Sequence, residues 1–142
     1  MTSFSPFESL GFHCNLTFKS FSKALEKKLS GKGVSRVQFM ALAHLIALGT
    51  MPQKELAELL SITPASTVRL VDRLVRDGWV ERIPDPDDRR VKLISPTPKA
   101  MDTWENMSDY VQQITAKAYT GLSDDQISTV KAVLQKVRKN LE

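Results

Sequence analysis

A chain of 142 residues, 42% apolar and 25% charged, suits one compact domain or a helical subunit that completes its core by pairing, and it excludes a disordered segment. One cysteine rules out an internal disulfide framework, and with no basic leader before a small-residue cleavage site the expected compartment is a reducing cytoplasm. The formal charge of +4 fits an acidic partner, but eight basic and eight acidic residues cancel between Pro52 and Thr97, so the excess lies before Pro52.

Leu10, Cys14, Phe18, Phe21, Leu25 and Leu29 recur at steps of three and four, which predicts a first helix ended by Gly31 and Gly33. Lys27, Lys28, Lys32 and Arg36 gather at its end and read as a solvated helix terminus, with phosphate contact as the alternative. Ser35 caps a second helix with the stripe Val37, Met40, Ala41, His44, Leu45 and Leu48, closed by Gly49. Its apolar run, Met40 to Leu48, is too short to span a bilayer and is interrupted by His44, so no membrane anchor is expected. Pro52 suits the first turn of a short third helix whose Leu56, Ala57, Leu59 and Leu60 face inward, and Ser61 and Ile62 make a turn.

The fourth helix opens on a Thr63 cap with Pro64 in its first turn. At about 100° per residue, Leu70, Val71, Leu74 and Val75 fall on a packing side, and Ala65, Ser66, Arg69, Arg73 and Arg76 on the other. Small side chains at Ala65 and Ser66 permit close approach to base edges, Arg69 has the bidentate fork that guanine O6 and N7 accept, and Arg73 and Arg76 suit phosphates. An ordinary amphipathic helix, its arginines paired with Asp72 and Asp77, is the competing reading for this helix alone.

After Gly78, a helix C-cap, Trp79 to Ile83 and Val91 to Ser95 read as two strands around the turn Pro84 to Arg90, a wing. Pro96 cannot donate to a ladder, so the second strand is expected to end at Ser95. Arg90 at such a tip can enter the minor groove while Asp88 holds its rotamer, unless the turn is only a soluble acidic loop. The order helix, turn, helix, hairpin is that of a winged helix-turn-helix, which inserts one helix into the major groove of DNA. Two further seams follow: Trp104, Met107, Val111, Ile114 and Ala118, then Ile127, Val130, Leu134, Val137 and Leu141 after a Ser123–Gln126 capping box. They pack within the subunit or, as this short chain favours, against a second copy.

Gln53-Lys54-Glu55-Leu56-Ala57, Val68-Arg69-Leu70-Val71-Asp72-Arg73-Leu74 with Gly78, and Asp85-Pro86-Asp87-Asp88-Arg89-Arg90-Val91-Lys92-Leu93 resemble the MarR family of transcriptional regulators, the Asp-x-Arg wing tip being the most specific element. Pro96-Thr97 and Ala100 depart from the family's usual Leu-Thr and x-x-Gly after the wing. The resemblance implies a mainly α fold with a small β-wing: an N-terminal helix for dimerisation in residues 1–34, a winged helix-turn-helix in 35–97, and C-terminal helices completing the dimerisation domain in 98–142. It implies a homodimeric repressor released from a palindromic double-stranded DNA operator by a small aromatic or anionic effector. It assigns Thr63, Pro64, Ala65, Ser66, Arg69 and Arg73 to the recognition helix, Asp88, Arg89 and Arg90 to the wing, and Gln53 and Lys54 to the DNA backbone.

Phe18, Phe21, His44 and Trp104 are candidates to line an effector pocket, core packing being the other reading. Cys14 sits where a peroxide-sensing subgroup of the family carries its cysteine, which makes a thiol-based repressor an alternative. Its place on the apolar stripe instead predicts a buried structural cysteine. A winged-helix module for protein contacts is a further alternative, distinguished by having no need of Arg69 and Arg90 together. No enzyme is expected, since consecutive His13 and Cys14 point about 100° apart on a helix without an oxyanion donor set, and neither metal nor cofactor is expected.

Overall fold

The computed structural model describes residues 5–142, and among them six α-helices surround a small antiparallel sheet. In chain order these are α1 (Leu10–Leu29), α2 (Arg36–Leu48), β1 (Met51–Pro52), α3 (Gln53–Leu60), α4 (Pro64–Arg76), β2 (Val80–Pro84), β3 (Lys92–Pro96), α5 (Pro98–Ala118) and α6 (Asp124–Leu141). The fold is mainly α with a β-wing, as the sequence predicts. None of these helices is long and apolar enough to cross a membrane.

The caps follow the side chains that can make them. Ser35 accepts the Gln38 N–H at 3.2 Å and Gln38 Oε1 accepts the Ser35 N–H at 2.9 Å, a closed capping box at the start of α2. Ser123 and Gln126 repeat it on α6 at 3.1 and 2.9 Å. Thr63 and Thr97 cap α4 and α5, each followed by a proline at the first helical position. Gly78 follows α4 at φ 78°, a left-handed backbone that turns the chain into β2 with little cost only for glycine.

The sheet corrects two expectations about proline. Pro52 lies before α3 rather than in its first turn, because Met51–Pro52 forms a short edge strand paired with Ile94 and Leu93, giving the order β1-β3-β2. An edge strand tolerates the missing donor. Pro96 is part of β3, opposite Val80 in a pair flanked by the Thr97 N–H to Trp79 O bond at 3.1 Å. Its nitrogen therefore faces away from β2, past the end of β1, and no ladder bond is lost.

The core is centred on the winged segment, and Leu25 and Leu29 of α1 and Ala100 and Met107 of α5 join it. Ala41, Leu42 and Leu45 of α2, Leu56 of α3, Val71 and Leu74 of α4, and Ile94 of β3 are fully buried against one another. Leu59 and Val75, expected to face inward, are exposed: α3 and α4 bury narrower stripes than their apolar residues offer. Thr67 takes the place beside Val71, its Oγ1 donating to the Thr63 carbonyl at 2.9 Å.

The flanking helices are covered only in part. On α1 the stripe is buried at Leu25 and Leu29, whereas Leu10 and Phe21 are exposed and Phe18 is 59% exposed. Cys14 is exposed in the single chain, not buried as expected: the short 3-10 turn Pro6–Glu8 packs beside it, Phe7 edge-on to Phe12 at 5.1 Å between centroids, but leaves the Cys14 face open. On α5, Met107 is buried and Trp104 stacks on Phe39 with centroids 5.1 Å apart, while Val111 is exposed. Nothing on α6 is buried, and Leu141 is 83% exposed.

Candidate nucleic-acid interface

Helix α4 presents its polar face because its other face is held by Thr67, Leu70, Val71 and Leu74. At its start Thr63 Oγ1 accepts the Ser66 N–H at 3.1 Å and donates to Ser66 Oγ at 2.9 Å, so Ser66 is half-buried while Thr63, Pro64 and Ala65 are open to solvent. One turn on, Val68, Arg69, Asp72, Arg73 and Arg76 are exposed. Lys54 is exposed and Gln53 half-buried at the start of α3, beside the same helix end.

The acids of this segment sort its arginines. Asp72 pairs with Arg82 of β2, Asp77 with Arg76 at 3.1 Å, and Asp88 with Arg90 at 3.2 Å. Among the described residues, Arg69, Arg73 and Arg89 enter no ion pair. The competing expectation, in which Asp72 and Asp77 neutralise the helix arginines, holds for Arg76 alone. The Arg76 hydrogen bond, the largest influence, holds the Asp77 carboxyl below its ordinary range, and Gln38 assists at 3.4 Å.

In the wing, β2 and β3 pair from Val80 opposite Pro96 to Pro84 opposite Lys92, which carries the tip away from the core. Asp88 Oδ1 accepts both the Arg90 backbone N–H at 3.0 Å and its Nε–H at 3.2 Å, and Oδ2 accepts Nη2 at 3.3 Å. Asp88 thus fixes backbone and guanidinium together while the Arg90 side chain stays 90% exposed. The Arg90 side chain first, then its backbone N–H, lowers the Asp88 carboxyl from its usual range. Arg89 is exposed beside it.

The four effector-pocket candidates are not brought together. Trp104 is spent on Phe39, Phe18 lies under Arg36 with the guanidinium carbon 5.8 Å from the ring centroid, and His44 is half-buried on α2. Phe21 alone borders a cleft of about 890 Å³ between α1 and α5, together with Lys27, Lys28, Lys32, Tyr110 and Lys117. Lys28 reaches across it to Gln113 Oε1 at 2.7 Å. The lysine cluster read as a solvated helix end therefore faces a cavity, and Lys117 and Tyr110 carried no local signal because only the packing of α5 on α1 brings them there. Lys99 was also missed: its Nζ donates to the Asp77 carbonyl at 2.7 Å and lies 4.3 Å from the Trp79 ring centroid, tying α5 to the end of α4.

Comparison with known proteins agrees with this geometry. The MarR family model matches residues 34–92. The multiple antibiotic resistance protein MarR of Escherichia coli (strain K12) is 30% identical over 129 residues, covering 90% of each chain. The crystal structure of an E. coli MarR mutant complexed with operator DNA superposes with a TM-score of 0.80 at 29% identity, over 90% of this chain and 92% of that one. A probable transcriptional regulator from Pseudomonas aeruginosa gives 0.79 at 26% identity, over 94% and 99%. The chain belongs to the MarR family of winged helix-turn-helix transcriptional regulators.

Proposed function

We propose that this protein is a cytoplasmic, homodimeric repressor that binds double-stranded DNA at a palindromic operator. The observation that carries this reading is the sorting of charges: among the described residues Arg69 and Arg73 stand unpaired on α4 while Asp88 holds Arg90 outward at the wing tip. Arg69 addresses guanine in the major groove, with Thr63, Pro64, Ala65 and Ser66 setting the depth of entry. Arg73, Gln53 and Lys54 hold phosphates, and Arg90 and Arg89 serve the wing in the minor groove. A related E. coli protein is solved with operator DNA, which supports the same use of this face.

Residues 35–97 act as the DNA-binding unit, and residues 1–34 and 98–142 as the dimerisation unit. The apolar residues left exposed on α1 (Leu10, Phe18, Phe21) and on α6 (Val130, Val133, Leu141) support pairing, which sets two recognition helices about one DNA turn, roughly 34 Å, apart. The test is selection of bound DNA from a random library, followed by shift assays at several salt concentrations. A selected dyad sequence whose affinity falls as Arg69 is removed supports the reading, and DNA binding indifferent to both Arg69→Ala and Arg90→Ala sinks it.

The cleft between α1 and α5 is where the effector is placed. Four lysines around Phe21 and Tyr110 favour an anionic aromatic ligand, whose ring lies on the apolar floor while its charge meets ammonium groups. Benzoate and salicylate, tested against uncharged benzamide, should release DNA from the wild type and lose effect with Lys117→Ala. Release by benzamide alone contradicts this placement.

A further inference from the structure

A β-branched residue on the solvent side of a helix forfeits rotamer freedom without burying a side chain in return. Val68 is such a residue, 43% exposed on α4, while the neighbouring core positions are filled by Thr67, Leu70, Val71 and Leu74. It follows Ala65 by three positions, so the two lie on one strip, with Arg69 adjacent. Both line a shallow hollow of about 500 Å³ between α3 and α4, lined also by Ala57, Ile62 and the charged Lys54 and Glu58. On α4 itself the Asp72 carboxylate, four residues after Val68, is engaged by Arg82.

The edge that a base pair shows in the major groove carries one apolar group, the thymine 5-methyl. We propose that Val68, backed by Ala65, is a specificity-determining residue that reads a thymine methyl in each half-site, beside the base pair addressed by Arg69. The inference rests on the DNA-binding reading above. The guanidinium of Arg69 supplies directional hydrogen bonds to one base, and the two γ-methyls of Val68 supply an apolar contact that cytosine, lacking the methyl, does not reward. A phosphate would gain nothing from this side chain, which is why the partner is a base and not the backbone.

The experiment uses the full chain, the selected operator, and fluorescence anisotropy at one fixed salt concentration, with each thymine replaced in turn by deoxyuridine. Deoxyuridine keeps every hydrogen-bonding group and removes only the methyl. For the wild type, one dyad-related thymine position per half-site should weaken binding about 3- to 10-fold when its methyl is lost. Val68→Ala should bind the thymine operator with a similar loss and no longer distinguish thymine from uracil at that position, with an unchanged salt slope. Val68→Thr, which keeps one methyl, should retain part of the discrimination. Equal binding to every deoxyuridine operator by the wild type, or discrimination that survives in Val68→Ala, overturns the inference while leaving the DNA-binding reading intact. Failure of the wild type to bind any selected DNA overturns both.

Discussion

The winged segment and the helices around it use the same kind of apolar periodicity with opposite outcomes. In the winged segment Leu42, Leu45, Leu56, Leu74 and Ile94 reach complete burial inside one chain. On α6, Ile127, Leu134 and Val137 are only half-buried and Val130 is exposed, though their spacing is as regular. The difference teaches that a seam at helical spacing specifies a face to be covered, and that the covering element need not belong to the same subunit. The two regions should therefore answer the same substitutions differently.

The largest expected effect is in the core. Leu42→Ala removes a fully buried side chain from the junction of α2 with the rest of the core and should cost about 2–5 kcal/mol in urea denaturation. That loss should be the same at every protein concentration. Val130→Asp on α6 is expected to leave the subunit folded and instead dissociate the dimer, seen by analytical ultracentrifugation, with a melting temperature that no longer rises with concentration. If Val130→Asp destabilised the subunit equally at every protein concentration, as Leu42→Ala does, α6 would be part of the intramolecular core and the contrast would fail.

Arg69→Ala should lower operator affinity by about 1–3 kcal/mol and relax base preference at one position, with no change in the melting curve. Arg73→Ala is expected to weaken all sequences alike and to flatten the salt dependence by about one unit of slope. The pair separates reading from positioning on one helix face. Equal losses on operator and random DNA for both variants would remove Arg69 from base recognition.

The two capping boxes give a smaller and cleaner version of the comparison, since the same motif opens a helix in each region. Ser35→Ala should cost about 1 kcal/mol of subunit stability, because α2 is central to the core. Ser123→Ala removes the same hydrogen bonds from α6, and its cost should appear in the dimer dissociation constant. Equal, concentration-independent losses from both would contradict the division into two units.

What was legible in the sequence follows from the range of the forces involved. Caps at Ser35, Thr63 and Ser123, the turn at Ser61 and the Asp88–Arg90 clamp are made within a few residues, and each is found in the structure. The features missed join distant segments: β1 exists only because Met51–Pro52 meets β3, Lys117 faces Lys28 and Phe21 only once α5 lies on α1, and Asp72 meets Arg82 across the turn after α4. Burial was overestimated wherever periodicity outran the available partner, as at Cys14, Leu59 and Val75. The effector candidates were scattered for a related reason: Trp104 stacks on Phe39 in the core, Phe18 lies under Arg36, and Phe21 alone borders the cleft between α1 and α5.

The finest test concerns the wing. Asp88→Asn retains an oxygen for the Arg90 N–H, so the turn persists, but it deletes the charge that draws in Nε and Nη2. Operator affinity should fall less than in Arg90→Ala, because the guanidinium remains and only its fixed orientation is lost. The pH dependence has a definite sign. Arg90 lowers the folded-state value of the Asp88 carboxyl, so the clamp is complete at any pH above the ordinary carboxylate range and dissolves only as pH falls through that lowered value. Wild-type and Asp88→Asn affinities, measured from pH 7 downward, should therefore differ by a constant factor until the acid end and converge there. Convergence already near neutral pH would show that the Asp88 charge is not what holds Arg90 toward DNA.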